Sequence, residues 1–229
     1  VSAFSPWIDH QGNGENIEVT LKTEVNDLKI YYTLDGSEPN VNSTLYEKPF
    51  RTDKSVQLRT RAFKDTVAVG YLSALDFPIH LGANKKAVDQ NGKPLPKMTE
   101  LSYGRLTSAD KAWHRFKNDV EVTLTFEEAT SVKEVSFNSL RYTILGIYPP
   151  KKVEVWGSAD GKEFNLLGEI EQVEMSLEHG RNKVKNSISF SPTAVKKIKV
   201  KAFSHRPLGE GHHRAGENSV IAVDEIVVF

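Results

Sequence analysis

The residues best equipped for acid–base work are two adjacent carboxylates, Asp224 and Glu225. Hydrolysis of a glycosidic bond uses a pair of carboxyl groups flanking one scissile bond. Here the pair stands inside Val220 to Phe229, an apolar run read as the last strand of the fold. Neighbours in a strand point to opposite faces, so the two cannot both face one substrate. His212 and His213 are adjacent too, and without a His-x-x-x-His spacing they do not converge on one metal ion. The row Lys196-Lys197-Ile198-Lys199-Val200-Lys201 reads as the solvated face of a strand, where lysines discourage edge pairing. With 0 Cys there is neither a disulfide nor a thiolate metal site.

The elements that must position these groups follow a period of two. Ile17, Val19 and Leu21 alternate with Glu18, Thr20 and Lys22, and Lys29 to Leu34 runs into the turn signal Asp35-Gly36. Val56-Leu58-Thr60-Ala62 and Tyr71 to Ile79 complete a first set of short strands. The alternation lapses from His80 to Tyr103, where Asp89-Gln90-Asn91-Gly92-Lys93-Pro94 is turn-rich. It resumes in Val120-Val122-Leu124-Phe126, Lys152 to Trp156, Ile188-Phe190, Ile198-Val200-Ala202 and the terminal run. The expected fold is all-β, in two modules: a small Ig-like or fibronectin-like sandwich over residues 1–80 and a second β-module over 81–229. Two long loops, Arg105 to Asp119 and Ser204 to Ser219, are where a β-sandwich carries ligand sites.

The bulk numbers limit the function classes. The 229 residues suit two ordinary domains. Lys+Arg and Asp+Glu are both 30, so the chain has no net field to hold a polyanion, and nucleic acid is not an expected partner. No apolar run of about 20 residues is present, so no membrane span is expected. The chain opens on Val1 and carries no signal-peptide pattern, and it is read as a piece of a longer protein.

Two stretches resemble known families. Tyr31-Tyr32-Thr33-Leu34-Asp35-Gly36-Ser37-Glu38-Pro39, followed by Ser43 and Leu45 to Phe50, resembles the small β-sandwich behind the catalytic barrel of bacterial β-N-acetylhexosaminidases (chitobiases). Trp113 to Phe116, Pro150 to Phe164 and Val223 to Ile226 resemble the discoidin-like, galactose-binding-like jelly roll. In family-20 hexosaminidases these two modules follow the catalytic domain in this order. The resemblance therefore implies a non-catalytic accessory region of an exported bacterial glycoside hydrolase, periplasmic or extracellular, with a glycan and the parent's catalytic domain as partners. A catalytic barrel takes roughly 250 residues, more than this chain has. A stand-alone glycan-capture or adhesion protein, or a module of another exported glycosidase such as a fucosidase, fits the same residues.

The resemblance also implies roles for single residues. His213-Arg214-Ala215-Gly216 matches a loop that carries a His before a Gly-rich turn, and the expected sugar site comprises Trp113, Tyr148, His213 and Arg214. In that site an aromatic covers the apolar face of a pyranose and planar donors meet its hydroxyls; the alternative is that Trp113 packs as a core plug and His213 caps a turn. No cofactor is required, but similar modules hold a structural Ca²⁺ near the chain termini, with a Glu corresponding to Glu225 as ligand. The opposite side of that ion normally lies in a Leu-Thr-Asp-Gly-like loop. This sequence has Leu101-Ser102-Tyr103-Gly104, which lacks the Asp.

Overall fold

The computed structural model describes residues 3–171, 180–205 and 207–229. The chain divides into two compact units, Val1–Ile79 and His80–Phe229. Every regular element among the described residues is a strand, apart from 3₁₀ turns at Pro96–Met98 and Thr143–Leu145.

The first unit is a β-sandwich of seven strands: β1 (Trp7–Gly12), β2 (Ile17–Lys22), β3 (Lys29–Thr33), β4 (Thr44–Leu45), β5 (Phe50–Thr52), β6 (Val56–Lys64) and β7 (Val67–Phe77). They form antiparallel sheets in the orders β1-β2-β5 and β4-β3-β6-β7. The alternation explains the sandwich: Ile17, Val19 and Leu21 are buried with Ile30, Leu58, Ala62 and Phe77, while Lys22 faces water. Each of the Val, Leu, Ile and Phe side chains contributes about 1.5–3 kcal/mol by leaving water. Tyr32 of β3 stacks on Phe50 of β5 at 4.8 Å and 5°, joining the two sheets.

The Asp35-Gly36 signal closes a tight turn against β6. Asp35 Oδ1 accepts from the Ser37 backbone N–H (3.0 Å) and hydroxyl (2.6 Å). Gly36 donates to Gln57 O at 2.9 Å, and Gln57 N–H donates back to Leu34 O at 2.9 Å. Gly36 sits at φ 85°, a conformation a residue with a Cβ rarely adopts.

The second unit, a jelly roll, holds β8 (Lys86–Asp89), β9 (His114–Phe116), β10 (Val120–Tyr142), β11 (Lys152–Ser158), β12 (Asn165–Glu171), β13 (Arg181–Phe203), β14 (Ile221–Val223) and β15 (Val227–Val228). The sheet path runs β12-β11-β13-β10-β14-β9, with β8 and β15 also on β10. Strands β10 and β13 pair along almost their whole length, with register breaks between Thr125 and Thr130 and between Val132 and Glu134. Bulges bend a strand. The two strands of this long antiparallel pair thereby serve both layers: β8 and β11 pair at its 120–126 end, β14 and β15 at its 134–142 end. Val122, Leu124, Val135, Phe137, Ile188, Ile198 and Val200 meet in the core between.

Two sequence expectations change here. The terminal run is not one strand: it breaks at residues 224–226, between β14 and β15, and both acidic side chains of the break are fully buried. Nor is the lysine row an edge, because β13 lies between β11 and β10. Its lysines are tied down across the sheet. Lys199 and Lys201 reach Glu121 at 3.0 and 3.4 Å, and Lys197 Nζ donates to Gly161 O at 3.0 Å.

Candidate functional site

One end of the jelly roll gathers the long loops, as a sandwich does. Lys117 and Asn118 precede β10, and residues 204–219 lead into β14. Between them lies a cleft of about 330 Å³ lined by Lys117, Asn118, Arg214, Glu217, Asn218 and Val220. That volume is at the small end of ligand sites, typically about 300–1,000 Å³. Its walls offer amide, carboxylate, ammonium and guanidinium groups, the donors and acceptors that a polyhydroxylated ligand needs.

Arg214 is held in place rather than left to sample rotamers. Its Nη1 donates to Leu145 O at 2.7 Å, and Nε and Nη2 donate to Glu217 Oε2 at 3.1 and 2.5 Å. The hydrogen bond from Arg214 holds the Glu217 carboxyl below its usual range, and the Arg214 guanidinium moves up in return. The Leu145 carbonyl is presented by a turn that ends at Gly146, whose φ is 67°. His212 anchors the loop from behind: its Nε2–H donates to Thr143 O at 2.7 Å, and its Nδ1 accepts from Arg214 N–H at 3.0 Å. His213 stacks on the His212 ring at 4.5 Å and is exposed.

The four residues expected at a sugar site thus divide. Arg214 lines the cleft and His213 lies one residue before it on the surface. Trp113 and Tyr148 are elsewhere in depth, only 5% and 1% exposed, so neither offers an open ring face to a pyranose. Trp113 packs with Leu140, Ile147 and Ala222, and its indole N–H donates to Arg105 O at 2.8 Å. Tyr148 sits edge-on to His205 and His212, at 6.3 and 6.1 Å, with its hydroxyl buried and without a hydrogen-bond partner among the described residues. The aromatic-platform reading is corrected by this burial: both rings support the loops from beneath. Sequence reading missed Lys117, Asn118, Glu217 and Asn218. Their signal was position alone, as polar pairs at the inner ends of the two long loops.

The second locus is the pair in the chain's final segment. Asp224 Oδ1 accepts from Asn138 N–H at 2.9 Å, and Oδ2 accepts from Gly104 N–H at 3.1 Å and Asn138 Nδ2 at 3.0 Å. Burial pushes its carboxyl up to about 7, against the lowering pull of those donors. The same burial, with Glu225 and Asp224 nearby, pushes the Tyr103 phenol up. Glu225 turns elsewhere: Oε1 lies 3.2 Å from His80 Nε2, and Oε2 accepts from Ser102 N–H at 2.9 Å. Neither carboxylate reaches solvent, so neither can protonate a glycosidic oxygen. The surroundings of Glu225 also do not fit a Ca²⁺ site. A hard cation wants six to eight oxygens about it, and the donors aimed at this carboxylate are N–H groups. Among the described residues, no group of three or more His, Cys, Asp and Glu could hold a metal ion.

Residues 11–71 match the family model described as "Chitobiase/beta-hexosaminidase C-terminal domain". No curated protein matches the chain. Among solved structures, a CBM32 module from Clostridium perfringens, in complex with GalNAc-β-1,3-galactose, is similar at 14% identity and a TM-score of 0.41, covering 65% of this chain and 96% of that one. A Ruminococcus gnavus GH29 fucosidase in complex with fucose is similar at 14% identity and a TM-score of 0.40, covering 66% of this chain and 26% of that one. A chitosan-binding module of a Paenibacillus chitosanase/glucanase is similar at 12% identity and a TM-score of 0.40, covering 65% of this chain and 96% of that one.

Proposed function

We propose that this chain is a non-catalytic accessory region of an exported glycoside hydrolase, with a β-N-acetylhexosaminidase as the parent that the first unit favours. The first unit serves as a spacer that packs toward the catalytic domain. The second holds a glycan in the cleft between its long loops. The family match over residues 11–71 carries the reading of the first unit. For the second, the carrying observation is the cleft itself: Arg214 fixed by Leu145 O and Glu217, opposite Lys117 and Asn118. The burial of both acidic side chains of the terminal segment supports the non-catalytic reading. Among the described residues no helix is long and apolar enough to cross a membrane.

The expected affinity is low. A site lined, among the described residues, by polar side chains and Val220 alone buries little apolar area while a hydroxylated ligand must lose its water. A dissociation constant on the order of 1 mM follows, about −4 kcal/mol. NMR titration of the chain with galactose, N-acetylgalactosamine and N-acetylglucosamine tests this. The expected shifts cluster at Lys117, Asn118 and Arg214 to Asn218, and they weaken at least several-fold in Arg214→Ala. Shifts centred outside the loop end, or none with any glycan offered, would overturn the glycan-holding role.

A further inference from the structure

The buried carboxylate of Glu225 needs a hydrogen-bond donor, and here a side-chain donor is the imidazole of His80. Both side chains are wholly shielded from solvent, at 0% exposure each. His80 Nδ1 accepts from Val228 N–H at 3.3 Å. That bond leaves the ring proton on Nε2, which points at Glu225 Oε1 across 3.2 Å. Ser102 N–H occupies the other carboxylate oxygen at 2.9 Å. The backbone fixes the ring from both sides: Leu81 N–H donates to Val228 O at 2.9 Å, and Ile226 N–H donates to Met98 O at 2.9 Å. His80 therefore ties together the start of the second unit, the 98–104 segment and the terminal strand β15.

We infer that His80 replaces the structural cation at this site, so that the jelly roll closes its ends with an imidazole–carboxylate hydrogen bond and takes no divalent ion there. Three features of the chain agree. Tyr103 stands in the loop where an acidic oxygen ligand would be needed, and its ring is buried. The N–H donors of His80 and Ser102 occupy the directions along which a cation would approach the carboxylate. An ion entering beside them would also meet the N–H edge of the imidazole ring, a poor neighbour for a hard cation that requires oxygen ligands.

The test uses the 229-residue chain. The metal content is measured after equilibration with millimolar Ca²⁺ and rapid desalting, and melting is followed by calorimetry in the presence of a chelator and of millimolar Ca²⁺. The inference expects less than a tenth of an equivalent of Ca²⁺ and the same midpoints in both conditions. A structural ion at about 100 times its dissociation constant would instead raise a midpoint by roughly 5–10 °C, and that shift, or one bound equivalent, would overturn it. His80→Ala lowers the midpoint of the second unit, and His80→Gln, whose amide N–H can still reach the carboxylate, recovers part of the loss. An unchanged midpoint in His80→Ala would count equally against the inference. Should His80→Ala fail to fold, the metal content and melting of the unsubstituted chain still decide.

Discussion

At the scale of the residue, Asp224 is the side chain with most at stake. It is fully buried and receives three N–H donors, two from Asn138 and one from Gly104. Removing it leaves all three donors without a partner in a place water does not reach. An orphaned buried donor costs about 1–3 kcal/mol, and a shared cavity lets the neighbours relax. Asp224→Ala is expected to lose about 3–4 kcal/mol in urea unfolding of the second unit; a loss below 1 kcal/mol would show that the network is not holding the terminal segment. The sequence made the pair Asp224-Glu225 conspicuous and assigned the two to opposite faces, and the structure does send them to different partners. What it hid was the partners. Asn138 is 86 residues from Asp224, and His80 is 145 from Glu225. Alternation reports which side of a strand a residue faces, but not what the rest of the chain brings to meet it.

At the scale of the element, legibility follows the range of the physics. Strands such as β2 and β11 were readable, because burial on one face imposes a local period of two. The continuation of β10 from Phe126 through Glu127, Glu128 and Ala129 to Tyr142 was not, because a bulge shifts the phase of the alternation just where two charged residues fall. The small strand β9 was hidden inside the Arg105–Asp119 loop for another reason: its place depends on pairing with β14. The loop before it is positioned by packing. A Cβ at Gly104 would stand 2.3 Å from Trp113 Cε2, and the indole N–H is already committed to Arg105 O. The ring cannot retreat without breaking that bond or disturbing Leu140 and Ala222. Overpacking of this kind costs about 1–3 kcal/mol. Gly104→Ala is expected to reach or exceed the upper value, and to open the Arg105–Asp119 segment to proteolysis; cleavage no faster than in the parent chain would contradict the role given to Trp113 as the prop of that loop.

At the scale of the whole molecule, charge is balanced, with 30 cationic and 30 acidic side chains, so no large net repulsion sets the response to mild acid. The response rests on individual buried groups of the second unit. Burial holds the His205 imidazole below its usual range, with Lys151 adding to the effect, and burial with Lys97 does the same to His114. In the unfolded chain both rings take up a proton near 6.5; in the folded unit they resist it to lower pH. Their contribution to stability is therefore present above about 6.5 and is lost as pH falls through the folded values. Asp224 acts in the opposite sense. Its carboxyl is raised to about 7 from 3.8, so the folded unit binds a proton that the unfolded chain has released, and that contribution is lost as pH rises toward 7. Just below 6.5, two rings favour unfolding on acidification and one carboxyl opposes them. The two rings outnumber the one carboxyl once the pH is well below 6.5, and the net there is proton uptake on unfolding, so stability falls with pH. Urea midpoints of the second unit measured from pH 7.5 to 5.5 are expected to fall on this account. His205→Gln, which keeps a polar side chain but cannot be protonated, should flatten the curve. A midpoint that rises as the pH is lowered would mean that Asp224, rather than the two histidines, governs how this unit meets acid.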